Sequence, residues 1–351
     1  MFIQIHAIHS VPPSCINRDD VGAVKSAIYG GVRRHRVSSQ AWKRAMRTYA
    51  AKAGLAETAT RTLHLVDMIA DIVTGDFERN DVIATANKVI TAAGYKTKKV
   101  KGDEGDRYIT ESLAFISPGE VEVLAEFTES VLDGGDMPKK KEIKDELKAV
   151  GVTPDVALFG RMVAVSDKKD SDHLNVDACA QVAHALSTHE AHAEVDFYTA
   201  VDDLTTDSEG GSGFLGTQEM VSSTLLRYAS IDVDRLRETL GKDAAEVALA
   251  AFVEAFVKAM PTGKSNSFAN TTLPDYVIIE TVDAPVNYIG AFESPVRSRG
   301  DLVSSSIESL EDYRERLSTV YGLAGDSVVM NTRDKDSSTL GALCEWAAKQ
   351  V

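Results

Sequence analysis

Asn17–Arg47 reads NRDDVGAVKSAIYGGVRRHRVSSQAWKRAMR, and it reverses the charge of the chain around it. Eight of its residues are basic (Arg18, Lys25, Arg33, Arg34, Arg36, Lys43, Arg44 and Arg47) and two are acidic (Asp19 and Asp20), whereas the whole chain carries −15. Clustered cations leading into a helix are a footprint of polyphosphate binding; on charge alone, a solvated basic helix face is the plain alternative. The layout decides more than the charge. Gly30 and Gly31 mark a turn, and Ser38 or Ser39 can cap a helix through its hydroxyl. On a helix advancing about 100° per residue, Lys43, Arg44 and Arg47 stay within about 60° of Gln40, while Trp42, Ala45, Met46 and Tyr49 take the other side. One face therefore packs on a core and the other offers three cations and an amide. The N-terminus of such a helix adds unpaired N–H groups and the positive end of its dipole. Contacts of this kind go to phosphate and sugar, which set register without reading bases.

Working outward, Phe2–His9 alternates as a strand and Ser39–Ala53 is the helix just described. Glu194–Asp202 and Val221–Asp232 read as strands separated by a Gly- and Ser-rich connection. Asp243–Met260 carries an apolar stripe through Val247, Ala251, Val253, Phe256 and Val257 and ends at Pro261, and Tyr276–Val282 is a β-branched strand. The order β-α-β-β-α-β predicts an α+β, ferredoxin-like fold of the kind RNA-recognition modules use. Residues 1–54 and 191–351 are expected to form this domain, with a hairpin at about 200–219. Residues 55–190 form an insertion the size of a domain. Helices near Ser304–Tyr321 and Ser338–Lys349 are expected to pack against the sheet.

Composition sets further bounds. A chain of 351 residues that is 44% hydrophobic can bury a core in about two domains. No apolar run reaches the roughly 18 residues a membrane helix needs, and Met1–Ser10 lacks the basic start of a signal peptide. Cys15, Cys179 and Cys344 are scattered, which fits a reduced, cytoplasmic protein with buried thiols. The net charge excludes a general nucleic-acid coat, so binding is expected in a confined basic channel.

The Asn17–Arg47 block closely resembles the N-terminal signature of the backbone subunits of Cascade, the type I-E CRISPR surveillance complex, within the repeat-associated RAMP superfamily. Further blocks agree along nearly the full length: LFGRM at Leu158–Met162, NVDACAQVAHALSTH at Asn175–His189, EVDFYTAVDDL at Glu194–Leu204, GFLGTQE at Gly213–Glu219, LLRYASIDVDRL at Leu225–Leu236 and PTGKSNSFAN at Pro261–Asn270. The resemblance implies an RRM-like palm, a mostly helical fingers insertion and a β-hairpin thumb. It also implies a non-catalytic, CRISPR RNA-binding subunit in antiviral defence. Copies would polymerise head to tail along the guide, meet other Cascade subunits, and leave the bases free to pair with target DNA. The expected RNA contacts are Arg18, Lys25, Arg33, Arg34, Arg36, Ser38, Gln40, Lys43, Arg44 and Arg47. No cofactor, metal or membrane is implied. Related subunits of type III complexes cut RNA with an acidic residue, so a metal-dependent ribonuclease is the enzyme alternative; a processing protein acting on one stem-loop is a second rival.

In the insertion, Lys96, Lys98, Lys99 and Lys101 precede Gly102–Asp106 and read as a mobile, solvated loop. Lys139, Lys140, Lys141 and Lys144 follow DGGDMP and open a helix with Glu142, Asp145 and Glu146, whose i,i+4 pairing is its structural reading. The resemblance implies that these four lysines touch target DNA. The stretch TAVDDLTTDSEGGSGFLGTQE alternates at its ends and reads as an arm with exposed Phe214 and Leu215. In the family such a thumb displaces guide nucleotides, making Met162, Tyr198, Phe214 and Leu215 candidates for that contact. Asp202, Asp203, Asp207 and Glu209 make the arm acidic, so its contact with RNA rests on shape.

Two catalytic readings fail on spacing, and a third finds no support beside it. Gly263–Ser265 suggests a P-loop, but the Walker pattern needs glycine at 258, where Lys258 stands. His184, His189 and His192 with Glu190 do not form HExxH and read as surface histidines. Asp19 with Asp20, or Asp202 with Asp203, are carboxylate pairs that metal-assisted cleavage could use, but nothing beside them compels that chemistry.

Overall fold

The computed structural model describes residues 1–102, 105–163, 174–200, 214–297, 300–323 and 325–351. The chain divides into two compact units, the first made of Met1–Ala53, Ala180–Asp234 and Leu249–Val351, the second of Gly54–Cys179 and Arg235–Ala248. Both combine helices with antiparallel strands, an α+β construction.

The first unit is built on Phe2–Ser14, which lies between Tyr276–Val282 and the long strand Phe214–Asp232. Edge to edge, the nine-stranded sheet runs Ser327–Asn331, Tyr276–Val282, Phe2–Ser14, Phe214–Asp232, Ala185–Ser187, Val32–Val37 and Ser26–Tyr29; Ala180–Val182 and Glu194–Ala200 also pair with Phe214–Asp232. The first strand outlasts its expected end at His9. Its register shifts between Val11 and Ser14, where Pro12 and Pro13 have no N–H to donate to the ladder.

Successive side chains of the central strands feed two cores. Ile8, Leu226, Tyr276 and Ile278 pack under Tyr288–Phe292 and Leu302–Tyr321, with Phe292, Val303 and Leu310. Val11, Ile16 and Leu225 pack with Val37, Ala185 and Trp42 of the Ser39–Ala53 helix.

Two expected features are corrected here. The strand beside the buried half of Phe214–Asp232 is not Glu194–Asp202 but the short pair Ala180–Val182 and Ala185–Ser187. Three-residue strands are too short to show a period, so the sequence placed them in the insertion. Glu194–Ala200 pairs instead with the outer half, Phe214–Met220. The hairpin Ser26–Tyr29/Val32–Val37 was also unread, because three arginines and a histidine hide its alternation.

Three imidazoles are buried in this unit. His6 accepts from the Tyr288 amide at 3.1 Å and stacks on the Tyr288 ring at 4.1 Å. His9 meets Thr272 Oγ1 at 2.9 Å, and His35 meets Ser223 Oγ at 2.7 Å. Burial pushes their pKa values down to about 3, 3 and 4 respectively. Unfolding frees each to titrate near its ordinary value of about 6.5, so below that pH the unfolded chain binds more protons and the fold loses stability. Each imidazole costs up to about 1.4 kcal/mol per pH unit in that window. Melting temperature is expected to drop steadily from about pH 6.5 toward pH 4; a flat profile would contradict neutral burial.

The second unit packs Leu65–Ile72, Arg79–Ala92, Pro118–Leu132 and Lys140–Val150 around Leu65, Ile69, Val89, Ile90, Leu124 and Ile143. It also holds two two-stranded ribbons, Thr60–Thr62 with Ala114–Ile116 and Thr97–Gly102 with Gly105–Thr110. The second ribbon corrects the expected loop over the first lysine cluster. Tyr108 packs partly buried on the helical core, and the Thr110 amide donates to Leu63 O at 2.9 Å. Four lysines in six residues had masked the strand period. In the same unit, Ser117 and Glu120 form a capping box, and Arg161 donates to Glu120 at 2.8 Å with both side chains only 3% exposed.

Candidate nucleic-acid interface

The basic segment folds into three pieces within the first unit. Residues 17–25 close a small loop: Arg18 bridges Val24, Lys25 N donates to Asn17 O at 3.1 Å, and Asp19 Oδ1 accepts from Val21 N and Ala23 N. Val24 N donates to Glu219 Oε2 at 2.8 Å, tying the loop to the long strand. The hairpin follows, turning at Gly30 and Gly31 with φ of 59° and 76°, values that suit a two-residue turn between twisted strands. A Cβ on Gly30 would lie 1.7 Å from Glu293 O, so only glycine fits there.

The hairpin sorts the arginines. Arg33 is exposed and donates to Ser26 Oγ at 3.1 Å. Arg36 is half-buried beside His184 Nδ1, 3.3 Å away. Arg34 is a correction: it is fully buried, donating to Tyr29 O, Ser187 O and Phe292 O at 3.1, 3.1 and 2.7 Å. It joins three backbone segments and presents nothing to a ligand. An alternating strand gives neighbouring arginines opposite surroundings, which the clustered sequence did not reveal.

The Ser39–Ala53 helix has the expected span. Ser38 is its cap, its carbonyl accepting from Ala41 and Trp42 and its hydroxyl from Ala41 N at 3.4 Å. Ser38 is itself buried, which makes its role structural. Trp42 and Met46 face the core. The Arg227 guanidinium lies 3.8 Å from the Trp42 ring centroid and 4.5 Å from that of Phe256, and burial brings its pKa down to about 9, which leaves it charged at neutral pH. Lys43 and Arg47 are half-buried, Gln40 and Arg44 exposed. The helix divides this set: Gln40 and Arg44 line a recess that Lys43 and Arg47 do not.

Two adjoining recesses lie along the loop and hairpin. One, of about 490 Å³, takes Lys25, Arg33 and Arg36 together with His35, His192 and Glu219. The next, of about 320 Å³, takes Arg18 and Lys264 and shares Ala23 and Glu219 with the first. Lys264 donates to Gln218 Oε1 at 3.0 Å from a left-handed backbone, φ 53°. Five cations therefore border a path through the two recesses, with Glu219 where they meet and Asp19 lining the first. The path suits successive phosphates, each met by a charged donor.

The sequence pattern of CT1975-like proteins matches residues 3–346. The chain belongs to the CT1975-like protein family. A chain of a pre-nicking CRISPR RNA-guided surveillance complex is similar over 100% of both chains, 32% identical with a TM-score of 0.88. A second chain, of a CRISPR RNA-guided surveillance complex, covers 100% of both at 27% identity and a TM-score of 0.78. No curated protein matches.

In this CT1975-like protein the arm is a two-stranded extension with residues 201–213 outside the described part, Asp202, Asp203, Asp207 and Glu209 among them. Tyr198 lies opposite Gly216, and its ring centroid is 6.0 Å from that of Phe214. Leu215 lies on the other face with Val195 and Phe197. Sequence reading passed over these last two, yet at 66% and 62% exposed they match Phe214 and Leu215 at 56% and 59%. Met162, in the second unit, is 87% exposed. Lys139, Lys140 and Lys141 are exposed at the start of Lys140–Val150 and Lys144 is half-buried, while Ile143 and Leu147 anchor the opposite side. Three cations at the positive end of a helix oppose its dipole, an arrangement that a bound polyanion relieves.

The remaining motifs resolve locally. His184 sits near Arg36, His189 Nε2 accepts from Thr224 N at 3.1 Å, and His192 pairs with Glu190 at 3.0 Å. Cys15 and Cys179 are buried and Cys344 is half-buried. Among the described residues no helix is long and apolar enough to cross a membrane. Lys264 is a further functional candidate, beside Val195 and Phe197, that the sequence did not single out. Its signal was the Gly263–Lys264 pair, discarded as a failed P-loop. A Cβ on Gly263 would stand 2.4 Å from Ile16 O, so this glycine lets the loop close on the residues before Arg18.

Proposed function

We propose that this chain is the CRISPR RNA-binding backbone subunit of a type I-E Cascade complex, non-catalytic and cytoplasmic. The first unit acts as a ferredoxin-like palm, the second as fingers, and the Glu194–Met220 arm as the thumb. Copies assemble head to tail along one guide and with other Cascade subunits, each holding sugar and phosphate while the bases stay free for target DNA. The observation that carries this reading is the cationic path of Arg18, Lys25, Arg33, Arg36 and Lys264 on a chain of net −15. Its side chains offer charged donors to successive phosphates, the pattern of backbone recognition. Similarity to surveillance-complex chains over the full length supports the assembly. Lys139, Lys140, Lys141 and Lys144 supply a contact to target DNA outside the guide duplex. Met162, Tyr198, Phe214 and Leu215, with Val195 and Phe197, supply the apolar surface that displaces guide nucleotides.

Nuclease digestion of recombinant protein bound to a full CRISPR RNA tests this. The expected result is a protection ladder with a constant nucleotide step, lost when Phe214 and Leu215 are both changed to serine. One protected stem-loop, or continuous protection without a step, would overturn it. Added magnesium or manganese is expected to leave the RNA intact. Asp19 already accepts two backbone amides, so Asp20→Ala tests the carboxylate reading directly: shortening of the RNA that this substitution abolishes would establish a nuclease.

A further inference from the structure

The recess that receives Arg44 shares no lining residue with the phosphate path. Its volume is about 690 Å³, and it is bounded by one flank of the Ser39–Ala53 helix, by Ile16 and Asn17, and by Lys258–Gly263. Arg44, Lys52 and Lys258 are its cations, and among the described residues no carboxylate lines it directly. Arg44 and Lys52 are exposed. Lys258 and the Tyr49 hydroxyl both donate to Glu254 Oε1, at 2.9 and 3.0 Å, which fixes the lysine stem and the phenol ring on that wall. The floor is different in kind: Ile16 and Pro261 are buried and Met260 half-buried, presenting apolar surface beneath the charged rim.

Each half of this lining has a chemical meaning. A rim with three cations against one adjoining carboxylate, Glu254 on Lys258, on a chain this acidic, favours a phosphate. A phosphate alone has no use for an apolar floor, and the volume falls in the range of about 300–1,000 Å³ typical of sites for small organic molecules. A nucleotide satisfies both, with charge at the rim and the face of an unstacked base below, where stacking or apolar contact needs no particular base.

We infer that this recess is a nucleotide subsite: Arg44, Lys52 and Lys258 hold the phosphate of one nucleotide of a single strand, and Ile16, Met260 and Pro261 receive its base. The inference rests on the polynucleotide reading above and adds a position where a base leaves the stack. Lys52 and Lys258 were invisible as partners in the sequence because the fold brings them together from distant segments.

The test uses the full chain and its Lys52→Gln and Lys258→Gln variants. Anisotropy is measured with a fluorescein-labelled single-stranded RNA and with DNA of the same sequence, over a salt series. Each variant is expected to bind several-fold more weakly and to reduce the salt slope by about one. 4-Thiouridine in the RNA is expected to crosslink to Tyr49 or to Met260–Thr262. Loss on the RNA probe alone assigns the guide strand, on DNA alone the target strand, and on both a shared phosphodiester site. Unchanged affinity and slope on both probes overturn the subsite, and crosslinks found only elsewhere overturn its placement of the base. If an alanine variant of Lys43 and Arg47 still loses binding in the same assay, the grip stands and the subsite alone falls. Absence of RNA binding by the unsubstituted chain overturns both.

Discussion

With alanine at both Lys43 and Arg47, which extend the proposed grip along the Ser39–Ala53 helix outside the recesses, affinity for CRISPR RNA is expected to fall by about three orders of magnitude. Hydrogen bonds from charged donors contribute about 1.5–3 kcal/mol each, and two of them amount to about 4 kcal/mol. The salt slope should fall by about two, since each residue releases one phosphate's share of counterion. The fold should survive, because Trp42 and Met46 carry the buried side of the Ser39–Ala53 helix. Filter binding over a salt series, with circular dichroism as the control for folding, measures both. A loss of less than about threefold would remove this helix from the grip. Arg34→Lys should behave differently: it disturbs the four carbonyls the guanidinium joins, those of Tyr29, Ser187, Phe292 and Glu293, so stability should fall before the salt slope changes.

The second large effect concerns the other unit. Arg161→Met leaves the Glu120 carboxyl buried without its cation, and it also removes the donations from Arg161 to Phe115 O at 3.0 Å and to the carbonyl of Leu174. Removing one partner of a buried ion pair costs about 3–5 kcal/mol. For a domain of this size that corresponds to a fall in melting temperature on the order of 10 °C. The double variant Arg161→Met/Glu120→Gln should recover much of it, because no unpaired charge is then left inside. Differential scanning calorimetry of the three proteins decides the matter: equal melting temperatures for the single and double variants would mean that the charge is not what destabilises.

Much of this was legible in the chain because local chemistry and tertiary placement agree. Helix Ser39–Ala53 and strand Tyr276–Val282 have the spans their periodicity gave, since each presents one strong repeat bounded by a clear stop. Where the repeat was short or overwritten by charge, it failed. Ala180–Val182 and Ala185–Ser187 are too brief to show a period, and both the arginine hairpin and the lysine ribbon carry strand geometry under a basic surface. The site divides in the same way. Cation identity could be read, but burial could not: Arg33 and Arg34 are neighbours in sequence, and one faces solvent while the other is sealed beneath Phe292. Lys264 and Lys258 joined the basic surface only through long-range folding, which no window of sequence contains.

The central claim is that this protein holds ribose and phosphate without regard to the base. It is tested most directly by comparing dissociation constants for CRISPR RNAs of one length whose guide portions are fully scrambled, each measured across a salt series. The account predicts equal affinities at every salt concentration and one steep common slope. Affinities that follow guide sequence, or a slope near zero, would contradict it.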